Sequence, residues 1–253
     1  MAPGAPRWLI GQPIAHRGLH DEAVGIVENT LDAATAAAEA GFAIECDIRA
    51  SADGEAVVFH DGALDRLTLA SGPVMDRTAA ELAGIAFRSG SSKIPTLRQF
   101  MDGVAARVPI ICEIKSQFDA DMRLAERVAA LAADYRGPLA IKSFDPAIIA
   151  YLRAKSLSGA CPLGIVAQAA YEARDWPSLT VGQRAECTNF LHYHETRPDF
   201  LSFRVDDLPH PTPFLLRALA TIPVMTWTVR TAEQRRKAAH WADQIIFERD
   251  AGP

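Results

Sequence analysis

Short apolar runs that look like β-strands alternate with longer helical patterns along nearly the whole chain, and this alternation constrains the fold more than any other feature. Strand-like runs fall at residues 13–16, 42–48, 108–114, 139–142, 163–167, 200–205, 223–229 and 244–247. Helical patterns follow at 31–40, where Asn29-Thr30 offers capping side chains and Gly41 a stop, and at 119–134. Two more are opened by Asp145-Pro146 and run over 231–241. About eight β-α alternations in 253 residues, close to the ~250 typical of the architecture, predict a (β/α)₈ TIM barrel. A doubly wound open sheet shares the alternation, but the first strand carries no G-x-G-x-x-G. Residues 62–95 break the rhythm with turn residues and a short helical pattern at 77–82, and read as a small insertion, or cap, after the second strand. Residues 169–199 do not resolve into elements. With no repeat or low-complexity linker, one domain over 1–253 is expected.

Composition excludes more than it selects. Hydrophobic residues are 49% and charged residues 23%, ordinary for a soluble globular protein. The net charge of −5 carries no long basic run, which argues against a nucleic-acid partner. The opening Met1-Ala2-Pro3-Gly4 begins no basic segment followed by an apolar one, and no apolar run reaches the ~18 residues of a membrane span. A cytoplasmic protein without a stable membrane anchor, monomer or homo-oligomer, is expected. Cys46, Cys112, Cys161 and Cys187 form no C-x-x-C pair and read as reduced thiols.

The chemistry sits at the strand ends. Residues i and i+2 of a strand share a face, so Glu45 and Asp47 project together while Cys46 points away. Glu113 and Lys115 do the same, with Cys112 and Ile114 on the outer face. Glu45, Asp47 and Glu113 make an oxygen-only set suited to Mg²⁺ or Ca²⁺ rather than zinc, although salt bridges to Lys115 and Arg49 would also explain them. His16 and His60 end neighbouring runs and suit an acid–base pair, because a free histidine side chain titrates at ~6.5. Arg17 and Lys115 offer fixed positive charge for phosphate oxygens. Asp61 either orients an imidazole or caps a turn, the turn being favoured. Trp227 either fills the core or walls the pocket. His192-Tyr193-His194 has the look of a metal pair but reads better as a surface helix or loop, and His20, His210 and His240 suggest no partner. No G-x-S-x-G and no P-loop is present.

In order along the chain stand His16-Arg17-Gly18, Glu28-Asn29-Thr30, Glu45-x-Asp47, Asp53-Gly54 before a strand ending His60-Asp61, Ile94-Pro95-Thr96-Leu97, Glu113-x-Lys115, Ser143-Phe144 and Trp227-Thr228-Val229. This series resembles the glycerophosphodiester phosphodiesterases, a TIM-barrel family of metal-dependent enzymes. The resemblance implies a divalent cation at Glu45, Asp47 and Glu113 (Mg²⁺ or Ca²⁺, or Mn²⁺) and acid–base roles for His16 and His60. It implies phosphate contacts from Arg17 and Lys115; Trp227 is expected to contact substrate, and Gly18 reads as room for backbone near the ligand. The reaction implied is hydrolysis of a glycerophosphodiester to glycerol 3-phosphate and an alcohol, within lipid and glycerol metabolism. The chain departs from the family at Arg230, often asparagine there, and at Ile245-Ile246-Phe247-Glu248-Arg249-Asp250, where a Thr-Asp pair and a proline are usual. Arg230 either reads a second negative group of the substrate or, more in keeping with its position, forms a surface salt bridge. Two other readings compete: a catalytically weak or inactive barrel that binds phosphate esters, and a lysophospholipase-D-like enzyme, for which no apolar lip is obvious.

Overall fold

The computed structural model describes residues 5–155 and 161–249; Met1 to Gly4 and Asp250, read above, lie outside the described residues. The chain divides into two compact units. The first holds Ile14–Lys115 and Met122–Leu139, the second Ser116–Asp121, the chain from Ala140 onward and the N-terminal segment to Pro13.

In the first unit the order is β1 (Ile14–Ala15), α1 (Leu31–Glu39), β2 (Ala43–Ala50), β3 (Ala56–Val58), α2 (Ala79–Gly84), α3 (Leu97–Val104), β4 (Ile110–Ile114) and α4 (Arg123–Asp134). β2 is the centre. It runs parallel to β1 and to β4, with Cys46 opposite Cys112 and Asp47 opposite Glu113. The two thiols come within 3.6 Å of each other, which confirms that they share a face and that the carboxylates take the other. β3 returns antiparallel along the end of β2, Ile48 opposite Val58. Its turn is built by Ser51 and Asp53, whose side chains are hydrogen-bonded, and by Gly54 at φ +77°. The return carries Phe59 back beside Asp47, whose carbonyl accepts from the Phe59 amide at 2.9 Å, and so delivers His60 to the carboxylate side.

Thr30 caps α1, accepting from the Ala33 amide. The helix buries only Ala33, Ala34 and Ala37, so backbone approaches it closely. Gly18, at φ +78°, sits where a Cβ would lie 2.8 Å from the Ala33 backbone. The glycine is therefore required by the packing of α1, whatever ligand lies nearby. Residues 62–95 carry α2, with a Thr78–Glu81 capping box, around a cluster of Leu64, Leu67, Val74, Leu82, Phe87 and Ile94 packed on Val27, Val57 and Phe59. α4 starts four residues later than its pattern suggests, because Asp119 turns the chain by accepting from the Asp121 amide and Ala120 adopts φ +63°.

The second unit runs β5 (Leu139–Ser143), α5 (Pro146–Ala154), β6 (Leu163–Ala167), α6 (Val181–Asn189), α7 (Tyr193–Thr196), β7 (Phe200–Arg204), α8 (Pro211–Ala220), β8 (Val224–Val229), α9 (Ala232–Trp241) and β9 (Gln244–Phe247). Its strands pair in parallel in chain order. Asp145 caps α5 ahead of Pro146, as expected. α6 and α7 occupy the stretch that the sequence left unparsed; α6 buries only Cys187, so its periodicity is faint. α8 leaves Phe214, Leu215 and Leu219 exposed. No helix among the described residues is long and apolar enough to cross a membrane.

Candidate active site

His16, Arg17, Glu45, Asp47, His60, Glu113 and Lys115 all belong to the first unit. Glu45 and Asp47 lie on β2, Glu113 on β4, and all three are buried with carboxylate oxygens within 4.8 Å of one another. Burying three carboxylates together is costly without compensating positive charge. Lys115, one residue past β4, supplies part of it: its Nζ lies 2.8 Å from Asp47 Oδ1 and also contacts Glu113. Arg17 supplies more, with Nε 3.3 Å from Asp47 Oδ2 and its backbone amide donating to Glu45 at 3.2 Å. Arg17 holds φ +59° and Asn29 φ +58°, strained positions for side-chain-bearing residues of the kind found at functional sites.

Burial works against the charge on Asp47, but Lys115, His60 and Arg17 outweigh it and hold its carboxyl well below the usual range. Burial also opposes the Lys115 ammonium, and Asp47 and Glu113 raise it nonetheless. Arg17 follows the same pattern, raised against burial by Asp47, Glu28 and Glu45. These groups keep their charges at neutral pH. His60 goes the other way: burial lowers it despite the pull of Asp47, so the ring is neutral there. Its Nδ1 lies 2.7 Å from Asp61 Oδ1. Against the effect of burial, Arg66 and His60 hold Asp61 at about 2, so this carboxylate only accepts and Nδ1 must carry the proton. Nε2 is left as the basic nitrogen. Asp61 thus orients the imidazole, and the turn-cap reading is set aside. Arg49 fixes the same corner by donating to the His60 carbonyl at 2.7 Å. His16 Nε2 lies 4.0 Å from Glu45 Oε2.

Three residues support the site in ways the sequence does not reveal: Glu28 and Asn29, which stand in a motif above, and Arg66, which does not. Asn29 was read as a cap, but it donates to Asp47 Oδ2 at 2.9 Å and accepts from the Asp47 amide at 3.1 Å, locking that side chain. Glu28 pairs with Arg17 at 2.7 Å. Arg66 contacts both Glu28 and Asp61, and an arginine in an irregular segment carries no periodic signal that could have found it.

Trp227 belongs to the second unit, on β8. Its Nε1 donates to the Ser202 carbonyl at 3.0 Å and its ring meets Phe144 edge-on at 5.4 Å. Phe144 also packs on Trp176 and Tyr171, so Trp227 is one ring of a half-buried aromatic group. Arg230 makes a two-pronged pair with Glu248, at 2.6 and 2.9 Å, so the two departures from the family pattern are each other's partner. The metal-pair look of His192 and His194 fails: His192 is buried against Phe190 and bonded to Thr196, while His194 is exposed.

A family model described as glycerophosphoryl diester phosphodiesterase matches residues 16–248. The chain is 37% identical over 111 residues to a curated glycerophosphodiester phosphodiesterase of Caldanaerobacter subterraneus subsp. tengcongensis, a match spanning 41% of this chain and 44% of that relative's length. Among solved structures, an Oleispira antarctica phosphodiesterase in complex with its product sn-glycerol-3-phosphate is similar at TM-score 0.75 and 22% identity, covering 94% of this chain and 92% of that one. The glycerophosphodiester phosphodiesterase of Thermotoga maritima matches at TM-score 0.67 and 25% identity over 92% of each chain. These likenesses show the TIM-barrel fold and dispose of the doubly wound alternative. The chain belongs to the glycerophosphoryl diester phosphodiesterase family, a family of phosphodiester-cleaving enzymes.

Proposed function

We propose that the protein hydrolyses glycerophosphodiesters to glycerol 3-phosphate and an alcohol in a single catalytic domain, with residues 62–95 as its cap. The observation that carries this reading is the convergence of Glu45, Asp47 and Glu113 with Arg17, Lys115 and His60, in a chain of that family. The hard, buried, all-oxygen donor set fits a divalent cation, Mg²⁺, Ca²⁺ or Mn²⁺, held by Glu45, Asp47 and Glu113. When bound, the cation supplies Lewis-acid charge next to the phosphoryl oxygens.

The chain's own residues do the rest. Arg17 and Lys115 hold phosphoryl oxygens by charge-assisted hydrogen bonds. His60 Nε2 takes the proton of the glycerol 2-hydroxyl as it attacks phosphorus, and His16 gives a proton to the departing alcohol oxygen. Water then opens the cyclic phosphate with the two proton transfers reversed. Trp227 supplies an apolar substrate contact. A barrel that only binds phosphate esters would have no need for two histidines beside the carboxylates, which favours turnover. A cytoplasmic monomer or homo-oligomer, serving lipid and glycerol metabolism without nucleic-acid partners, completes the proposal.

The test is release of glycerol 3-phosphate from glycerophosphocholine, glycerophosphoethanolamine and glycerophosphoglycerol in parallel. Turnover of at least one, with glycerol 3-phosphate as product, supports the reading. Release of choline phosphate, or turnover of lysophosphatidylcholine alone, overturns it.

A further inference from the structure

Arg66 lies in the segment between β3 and α2, outside every motif named above. Its guanidinium grips two carboxylates at once. NH1 and NH2 donate to the two oxygens of Glu28 at 3.0 and 2.7 Å, and Nε and NH2 donate to the two oxygens of Asp61 at 2.6 and 3.1 Å. Each carboxylate has a second partner in the site: Glu28 holds Arg17 at 2.7 Å, and Asp61 holds His60 Nδ1 at 2.7 Å. One planar fork therefore sits between the group proposed to grip phosphate and the group proposed to move the proton. Local structure keeps the fork in place. Leu64 and Leu67 on either side are buried in the segment's cluster, and Thr68 donates to the Leu64 carbonyl through both its amide and its hydroxyl.

We infer that Arg66 is a positioning residue that aligns Arg17 and His60 together, through Glu28 and Asp61 respectively. The inference rests on the functional reading above for what those two side chains do, but not for the coupling itself. It also gives residues 62–95 a role beyond enclosing substrate, since they deliver the guanidinium that braces both arms of the site. A lysine cannot replace it. An ammonium group offers a point charge, whereas the two carboxylates are held by four hydrogen bonds from one rigid fork.

The experiment compares wild type with Arg66→Ala and Arg66→Lys in three readouts. Thermal unfolding reports whether each variant is folded. Nitrogen-15 spectra of labelled histidine, with the His60 ring assigned from His60→Gln, report which ring nitrogen carries the proton. Steady-state hydrolysis of the best glycerophosphodiester separates kcat from KM. The expected results are a folded Arg66→Ala whose His60 loses its fixed Nδ1–H tautomer, a kcat lowered about tenfold or more, and a KM raised several-fold, with Arg66→Lys between the two. Adding Asp61→Asn to Arg66→Ala should deepen the kcat loss by much less than the two single losses multiplied. An unchanged His60 tautomer, with kcat and KM at wild-type values or reduced only by the unfolded fraction, overturns the inference. Should the wild type hydrolyse no glycerophosphodiester, the functional reading fails, and the tautomer still decides whether Arg66 and His60 are coupled.

Discussion

His60 in the first unit and His192 in the second are both lowered by burial, and they differ in what their Nδ1 meets. Nδ1 of His60 faces an ionised carboxylate, Asp61, and its surroundings include the charges of Asp47, Lys115 and Arg17. Nδ1 of His192 faces the Thr196 hydroxyl at 3.2 Å, and its ring packs tilted against Phe190, with centroids 4.4 Å apart. Burial pushes His192 down to about 4. Burial lowers both rings; what separates them is the charged surroundings of His60 and the neutral ones of His192, and the proton-carrying role proposed above belongs to the former.

The largest expected effect strikes the charged side of that contrast. Asp47→Asn removes the carboxylate on which Lys115, Arg17 and Asn29 converge. Hydrolysis should fall at least ~10³-fold, and titration calorimetry should lose the heat of divalent-cation binding. Next, His60→Ala should lower kcat by ~10²–10⁴-fold, whereas His192→Gln should leave it within about twofold. Equal losses in the two variants would mean that His60 and His192 do not differ in role.

The structural side of the contrast shows in the pH dependence of stability. A histidine at about 4 in the folded protein and ~6.5 unfolded takes up its proton earlier when unfolded. Its contribution is therefore full above pH ~6.5 and is lost as pH falls from there towards 4, by about 2–4 kcal/mol. Urea unfolding of wild type and His192→Gln at several pH values checks this: the difference in unfolding free energy between the two should change over that window. A constant difference would mean that His192 is not buried neutral.

Two smaller effects bound the site. Trp227→Ala should raise KM about tenfold, a loss of ~1.4 kcal/mol, with kcat nearly unchanged. If kcat falls instead, the ring serves the transition state rather than uniform binding. Arg230→Ala breaks a half-exposed ion pair with Glu248 and should cost no more than ~1 kcal/mol in thermal or chemical unfolding, leaving kcat/KM unaltered. A large rise in KM there would revive the reading of Arg230 as a substrate contact.

Much of the fold was legible because strand and helix periods are local signals. The parallel strands fell close to their expected ranges, and Thr231 and Asp145 capped the helices they were expected to open. What escaped was short or faint. α6 buries only Cys187, and α8 exposes the face that a pattern search expects to be buried. Within the site, the alternation of a strand correctly paired Glu45 with Asp47 and Glu113 with Lys115. The register that sets Asp47 opposite Glu113 joins residues far apart in the chain and leaves no local trace. Arg66 lies in irregular backbone, and Arg230 and Glu248 met only through the fold.

The role proposed for Glu45, Asp47 and Glu113 is to hold a cation needed for phosphodiester hydrolysis. Its most direct test is glycerol 3-phosphate release by protein stripped exhaustively with EDTA, then titrated with Mg²⁺, Ca²⁺ or Mn²⁺. The stripped protein should be inactive, and one of these ions should restore turnover, saturating at about one ion per chain. Full turnover by the stripped protein would contradict it.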